Sequence, residues 1–228
     1  MRVSIHQPAY LPWLGYFDRI ARSDVFVFLD TVQFEKNSFT NRNRIKTPNG
    51  PLMLTLPVKQ RGHMSSTLQQ LEIDSRQPWR RKHLASIEAN YRKSPRFAAH
   101  WPRLQALYPE DALNFSDFCF DQLCFWCAEL GITTELKRAT DLGVTGEKSE
   151  LVENICKSLG ATCYISGPFG RDYLNIDKFD HQNIKVEIQN FAHPVYPQLH
   201  GDFAAAMGIV DYWLNDGRVW ARTEWAAP

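Results

Sequence analysis

Asp24-Val25-Phe26-Val27-Phe28-Leu29-Asp30 sets five consecutive apolar residues between two carboxylates. A run this short, rich in β-branched and aromatic side chains and apolar on both alternating faces, reads as a strand buried on both sides. That is the habit of a parallel sheet covered by helices. Toward the amino terminus, residues 2–5 make another short strand, halted by Pro8. Pro8 and Pro12 hold the next segment extended, and residues 16–21 have a helical composition that ends near Ser23. Strand, loop, helix and strand form a βαβ-like opening. The expected fold class is therefore α/β, with a mixed or mostly parallel central sheet flanked by helices.

Toward the carboxyl terminus, Thr47-Pro48-Asn49-Gly50 reads as a hairpin turn leading into a strand at 52–58. Lys59, Arg61 and His63, set among glycine and serine, mark a mobile loop of the kind found over substrates, followed by a short strand at 71–73. Residues 78–130 have helical periodicity, with His83, Ile87 and Tyr91 on one face and an aromatic-rich helix at 116–130 capped by Asn114 or Ser116. A strand at 133–139, a helix at 147–159 stopped by Gly160, and a strand at 161–166 closing on Gly167-Pro168 make a second βαβ-like unit. A strand at 185–191 and a helix around 207–215 complete the chain. No repeat or linker divides it, so one domain over residues 1–228 is expected, with a helical insertion at about 78–130.

Composition narrows the partners. The formal net charge of +1, from 26 basic and 25 acidic residues, gives no overall attraction to nucleic acid or to an anionic membrane. Any anion site must be local. Membrane insertion is not expected, since no run of about 18 apolar residues occurs, and the polar His6-Gln7 excludes a signal-peptide core, which reads as cytoplasmic. The 5 cysteines suit a reducing compartment better than a disulfide framework. Cys124-x-x-Cys127 lacks a second close pair and sits among Phe120, Leu123, Phe125 and Trp126, so it reads as a buried helix face rather than a metal site. Cys119, Cys156 and Cys163 read as small core residues. Neither GxxxxGK[ST] nor GxGxxG occurs, and no metal or organic cofactor is implied.

Ligands in open α/β sheets sit where strand carboxyl ends meet irregular loops. The first strand ends at His6-Gln7: an imidazole that exchanges protons near neutrality, beside an amide, both restrained by proline. A single histidine next to a strand is more often structural than catalytic. Asp30, at the end of the second strand, either orients His6 and binds an amine or serves as a turn cap. Arg42 and Arg44, alternating with Asn41 and Asn43, fall on one face of a strand and suit phosphate or carboxylate, unless they are a solvated edge. Ser166-Gly167 brings backbone amides close to a ligand. Asp172, Tyr173, His193, Tyr196 and Gln198 add hydrogen-bonding groups on other loops, expected to meet the His6 loop in space.

The tract from Ile5 through His6-Gln7-Pro8-Ala9-Tyr10-Leu11-Pro12-Trp13-Leu14-Gly15-Tyr16 to Phe17 resembles the opening signature of WbqC-like proteins. The same family is resembled in order by the 24–30 tract with Gln33, by Asn41-Arg42-Asn43-Arg44-Ile45, by Leu54-Thr55-Leu56-Pro57-Val58, by Tyr164-Ile165-Ser166-Gly167 with Asp172-Tyr173, and by His193-Pro194-x-Tyr196-x-Gln198. The resemblance spans essentially the whole chain. It implies a bacterial protein of O-antigen, lipopolysaccharide or related surface-polysaccharide synthesis, transferring glycyl or a similar aminoacyl or acyl group onto a small-molecule or carrier-linked substrate. Amide or ester formation needs a base and donors aimed at the developing oxyanion. His6 with Asp30 would supply the first, Gln7 and the Ser166-Gly167 backbone the second, while Tyr10, Trp13 and Tyr16 pack on substrate. Oligomeric state is open. Two other readings stand beside it. Pro12-x-x-Gly15-Tyr16-x-x-x-Ile20 is faintly similar to the HIGH-type loop of nucleotidyl transferases, with Tyr16 in place of a histidine. A noncatalytic protein holding a sugar, an amino acid or a carrier protein would use the same aromatic residues.

Overall fold

The structure is a computed structural model that describes residues 1–35, 38–59 and 66–219. Arg61 and His63 lie outside the described residues. β1 (Arg2–His6) is followed by α1 (Leu14–Ala21) and β2 (Val25–Phe28), and the strands pair in parallel with Ile5 beside Val27. β3 (Arg42–Thr47) and β4 (Gly50–Thr55) then form an antiparallel hairpin around Pro48-Asn49, where Gly50 takes a φ of +98°. Three helices follow: α2 (Trp79–Tyr91), α3 (Phe97–Ala106) and α4 (Phe115–Glu129). Asn114 caps α4, its side chain accepting from the Asp117 amide at 2.9 Å. β5 (Glu135–Arg138), α5 (Ala139–Leu142), α6 (Lys148–Ser158), β6 (Cys163–Ser166), α7 (Ile176–His181), β7 (Lys185–Ile188) and α8 (Ile209–Asn215) complete the order.

The central sheet has five strands in the order β5-β2-β1-β6-β7, every adjacent pair parallel. Its two faces divide the apolar run of β2. Val25, Val27 and Leu29, with Val3 and Ile5 of β1, pack on Ile155 and Phe179 from α6 and α7. Phe26 and Phe28 turn the other way, into a larger core with Phe17 and Ile20 of α1 and Phe118 of α4. Burial of each such phenylalanine contributes about 1.5–3 kcal/mol, so strand register is fixed from both sides.

Three expectations change. The strand at 71–73 is reduced to single bridges, Val58 with Ile73 and Glu72 with Asn114. The strand expected over 52–58 ends at Thr55, before Pro57, which has no N–H for a ladder. The strand over 185–191 stops at Ile188: Gln189 N makes a last bond to the Ser166 carbonyl at 2.8 Å, and its side-chain amide donates to the Gly15 carbonyl and Asp18. In the CxxC, Cys127 is buried but Cys124 is exposed, one turn away on the outer side of α4.

Candidate active site

Chain order reverses between β1 and β6: β2 and β5 are added on one side of β1, then β6 and β7 on the other. At such a reversal the connections leaving neighbouring strands part in opposite directions and open a crevice at the strand carboxyl ends. The pairing of Ser4 with Ile165, carried two residues on, sets His6 level with Gly167. His6-Gln7 and Ser166-Gly167 therefore flank one crevice.

His6 is half-buried there. Its Nδ1 lies 2.8 Å from the Gln7 carbonyl. A carbonyl only accepts, so Nδ1 carries the hydrogen and Nε2 presents its lone pair. No described residue hydrogen-bonds Nε2, and that atom is not sealed from solvent. Tyr16 packs edge-on at 4.8 Å between ring centres and donates its hydroxyl to the Gln7 carbonyl at 3.1 Å. Burial, with a contribution from the Arg19 charge, pushes the His6 pKa down to about 3, so the ring is neutral at physiological pH.

Arg19, one turn after Tyr16 on α1, is only 7% exposed. Its guanidinium has no hydrogen bond or ion pair with any described residue, and Nε is shut off from solvent as well. Neither outer nitrogen is sealed in this way, so the fork opens onto accessible space. A Cβ on Gly167 would stand 2.6 Å from Arg19 Nη1, so the absence of a side chain there lets the guanidinium reach the end of β6. Asp18 makes no ion pair with it, being held by Arg22 at 2.9 Å and Gln189 at 2.7 Å, and its charge is the smallest of the attractive contributions at Arg19. Burial lowers the Arg19 pKa, opposed by the nearby Tyr164, Tyr16 and Tyr173.

The model of the WbqC-like protein family matches residues 7–222, a span that begins at Gln7 and takes in Tyr16, Arg19, Ser166 and Gly167. The chain belongs to the WbqC-like protein family. It is also similar to an uncharacterized protein of Mycobacterium tuberculosis, 35% identical over 218 residues, which covers 95% of this chain and 94% of that protein. Among the described residues no helix is long and apolar enough to cross a membrane.

In this WbqC-like protein the loop from Gln7 to Trp13 is fixed by distant elements. Tyr10 N donates to the Thr40 carbonyl at 2.8 Å, Asn43 Nδ2 to the Leu11 carbonyl at 2.7 Å, and Ile209 N to the Pro12 carbonyl at 2.8 Å. These bonds hold Leu11 at a φ of +47°, a conformation that costs a branched residue on the order of 1 kcal/mol and persists only under such restraint. Trp13 is exposed, with its indole lying against Gly15, Phe191 and His193.

Several expected ligand-binding residues belong to the scaffold of the WbqC-like fold instead. Asp30 is fully buried and saturated: Oδ1 accepts from the Thr140 amide and hydroxyl at 3.1 and 2.9 Å, Oδ2 from Arg138 Nε at 3.1 Å and Ser116 at 3.3 Å. Orientation of His6 falls to the Gln7 carbonyl, and Asp30 has no free lone pair for an amine. Tyr10 is core, its hydroxyl between His83 Nδ1 and the Tyr108 hydroxyl, 2.8 Å from each. Tyr196 and Gln198 both donate to buried Asp211 at 2.8 Å, where Tyr91 joins at 2.7 Å. His193 has both nitrogens engaged, by the Pro194 carbonyl at 2.8 Å and the Ala206 amide at 3.1 Å. Asn41 is buried and donates to the Leu56 carbonyl at 2.8 Å.

The hairpin arginines keep to their own surface. Arg42 donates to the Ser38 carbonyl at 3.2 Å, and Arg44 lies 5.5 Å over the Phe39 ring, its Nε shut off from solvent without a hydrogen bond like that of Arg19. Gln33 is exposed and bridges Thr67, and Asp172 is exposed beyond the turn that follows Gly167. Tyr173 is closer to the crevice, within electrostatic reach of Arg19. Two cavities lie elsewhere, one of about 210 Å³ between β4 and α2 beside His83, the other of about 420 Å³ against Asp24 and Gly131. Neither is lined by a buried cation without a partner, which is what distinguishes the crevice. Sequence reasoning missed Arg19. The signal was present: Tyr16, Arg19 and Ser23 repeat at helical spacing, and Ser23 meets Ser4 of the sheet at 2.6 Å.

Proposed function

We propose that this protein is a transferase that moves an acyl or aminoacyl group, such as glycyl, onto a small-molecule or carrier-linked acceptor held over the carboxyl ends of β1 and β6. The observation that carries the reading is the state of His6: Nδ1 tied to the Gln7 carbonyl, Nε2 open and unpartnered. An acceptor amine or hydroxyl hydrogen-bonded to Nε2 attacks the acyl carbon. The new C–N or C–O bond forms, the bond to the leaving group breaks, and the proton passes through Nε2 to the leaving group. The imidazolium is disfavoured first by burial and second by the Arg19 charge, so an anion on Arg19 would remove the smaller of the two and make His6 a better base. Backbone amides at Ser166-Gly167 are suited to the developing oxyanion.

A test begins with native mass spectrometry for retained ligand, followed by turnover of the compound identified. His6→Ala is expected to keep its circular dichroism and lose about 10²–10⁴-fold in kcat, the usual contribution of a positioned base. Full turnover in that variant would remove the reading. Nucleotidyl transfer is the second reading, favoured by the strand-order reversal, which binds nucleotides in open parallel sheets. The Trp13 indole packed on Gly15 fills the space above the first turn of α1 and weighs against it. Saturable ATP or CTP binding by calorimetry would restore it.

A further inference from the structure

We propose that Arg19 is the anion-binding residue of the crevice, taking a singly charged group with two oxygens, a carboxylate or a phosphodiester, from the substrate. The inference rests on the same crevice as the proposed transfer reaction but not on His6 chemistry. A guanidinium withdrawn from water and left without a partner costs several kcal/mol, and folded proteins avoid this unless something else supplies the partner. No described residue does so. The neighbouring carboxylate, Asp18, is bonded to Arg22 and acts on Arg19 only through space, as the smallest of the attractive contributions. What remains is a guanidinium without an ion pair among the rings of Tyr16, Tyr164 and Tyr173. One such charge, presented as a planar fork, matches a single pair of anionic oxygens.

Two further features fit a ligand site. Gly167 leaves the fork its room, a Cβ there standing 2.6 Å from Nη1. His6 Nε2, the other open polar atom of the crevice, accepts a hydrogen bond rather than offering one, so it suits a hydroxyl or amine and the anion is left to Arg19. One substrate with an anionic end and a nucleophilic or protonated end would satisfy both.

The experiment compares wild type, Arg19→Met, Gly167→Ala and His6→Ala by thermal unfolding and calorimetry. Acetate, dimethyl phosphate and inorganic phosphate are titrated at constant ionic strength against chloride. Wild type and His6→Ala are expected to show saturable stabilisation by acetate or dimethyl phosphate, and whichever is stronger names the source of the charge. Binding should weaken by about tenfold or more in Arg19→Met, the loss of one charge-assisted bidentate pair. Gly167→Ala, which crowds the fork without removing its charge, should also weaken it. Without anion, Arg19→Met should melt at or above the wild-type temperature, because an isosteric apolar chain removes an unpaired buried charge.

A melting temperature for Arg19→Met well below wild type, or anion binding equal in the two proteins, would overturn the assignment. So would the absence of saturable binding of any of the three anions to wild type. The two proposals fail separately. Anion binding that depends on Arg19 together with full turnover in His6→Ala sinks the transfer chemistry alone. A dead His6→Ala without such anion binding sinks the Arg19 site alone.

Discussion

Arg19 and Arg138 are both withdrawn from solvent near the carboxyl ends of the central strands, and they could hardly be treated more differently by the chain. Arg138, at the end of β5, reaches Asp30 at 3.1 Å, Ser116 at 2.7 Å and Asp117 at 2.7 Å, and lies 5.2 Å over the Phe120 ring. Arg19, at the reversal between β1 and β6, reaches no acceptor at all among the described residues. The same side chain is scaffold in one place and an unfilled valence in the other. Saturation marks Asp30 and Arg138 as scaffold where residue type does not, but a missing partner alone does not make a ligand site, since Trp79 Nε1 and Trp126 Nε1 in the core also lack one. Asp30, a plausible catalytic carboxylate by its position at a strand end, falls on the scaffold side by this criterion.

The largest effect expected from this contrast is on the saturated side. Asp30→Ala removes the acceptor of Thr140 and Ser116 and one of the two carboxylates on Arg138, and should cost about 3–5 kcal/mol in urea unfolding, the usual result of breaking a buried pair. A loss below about 1 kcal/mol would show that the knot is not what fixes the strand ends.

Acid comes next, and it acts on the open side. His6 is held neutral in the fold, with a pKa of about 3 against 6.5 for the free side chain. The unfolded chain therefore takes up a proton that the folded protein refuses. Stability should fall as pH drops from about 6.5 toward 3, by roughly 2 kcal/mol or more from His6 at pH 4. His83, held at about 4 mainly by burial, adds to the same limb. Arg19→Met should lift the His6 pKa and flatten the acid limb, because a neighbouring cation is gone. Identical limbs in the two proteins would disconnect His6 from Arg19.

Two glycines close the series. Gly170→Ala drives a Cβ onto Ser166 and Leu174, two packed side chains, and should cost about 1–3 kcal/mol. Gly167 has an ordinary φ of −70°, and the atom its Cβ would meet is the swinging end of Arg19. Gly167→Ala is accordingly expected to change stability by less than about 1 kcal/mol while weakening anion binding. If Gly167→Ala proved the more damaging to the fold, Arg19 would be a packed structural element and the contrast with Arg138 would disappear.

Much of the fold was legible in the residues. The apolar run at 24–30, the proline-held loop before α1, the turn at 47–50, the cap at Asn114 and the stop at Gly160 each act through neighbours within a few positions, and the structure has an element boundary at each. The candidate site was legible only in outline. His6-Gln7 and Ser166-Gly167 end neighbouring strands, while Tyr10, Tyr16, Asp30, Asn41, Ser166, Tyr196 and Gln198 spend their side chains on internal hydrogen bonds. Nothing local distinguishes the two groups. Asp30 is saturated by residues 86 to 110 positions away, and Tyr10 by partners 73 and 98 away.

By itself, then, the sequence determined the order of most strands and helices and that a parallel α/β sheet would form, because periodicity, proline geometry and capping are short-range, while strand ends such as Thr55 and Ile188 were set by the fold. Only the tertiary structure decided which polar side chains find partners. Whether a buried group is satisfied depends on atoms brought next to it from far along the chain, and for Arg19 none is brought among the described residues.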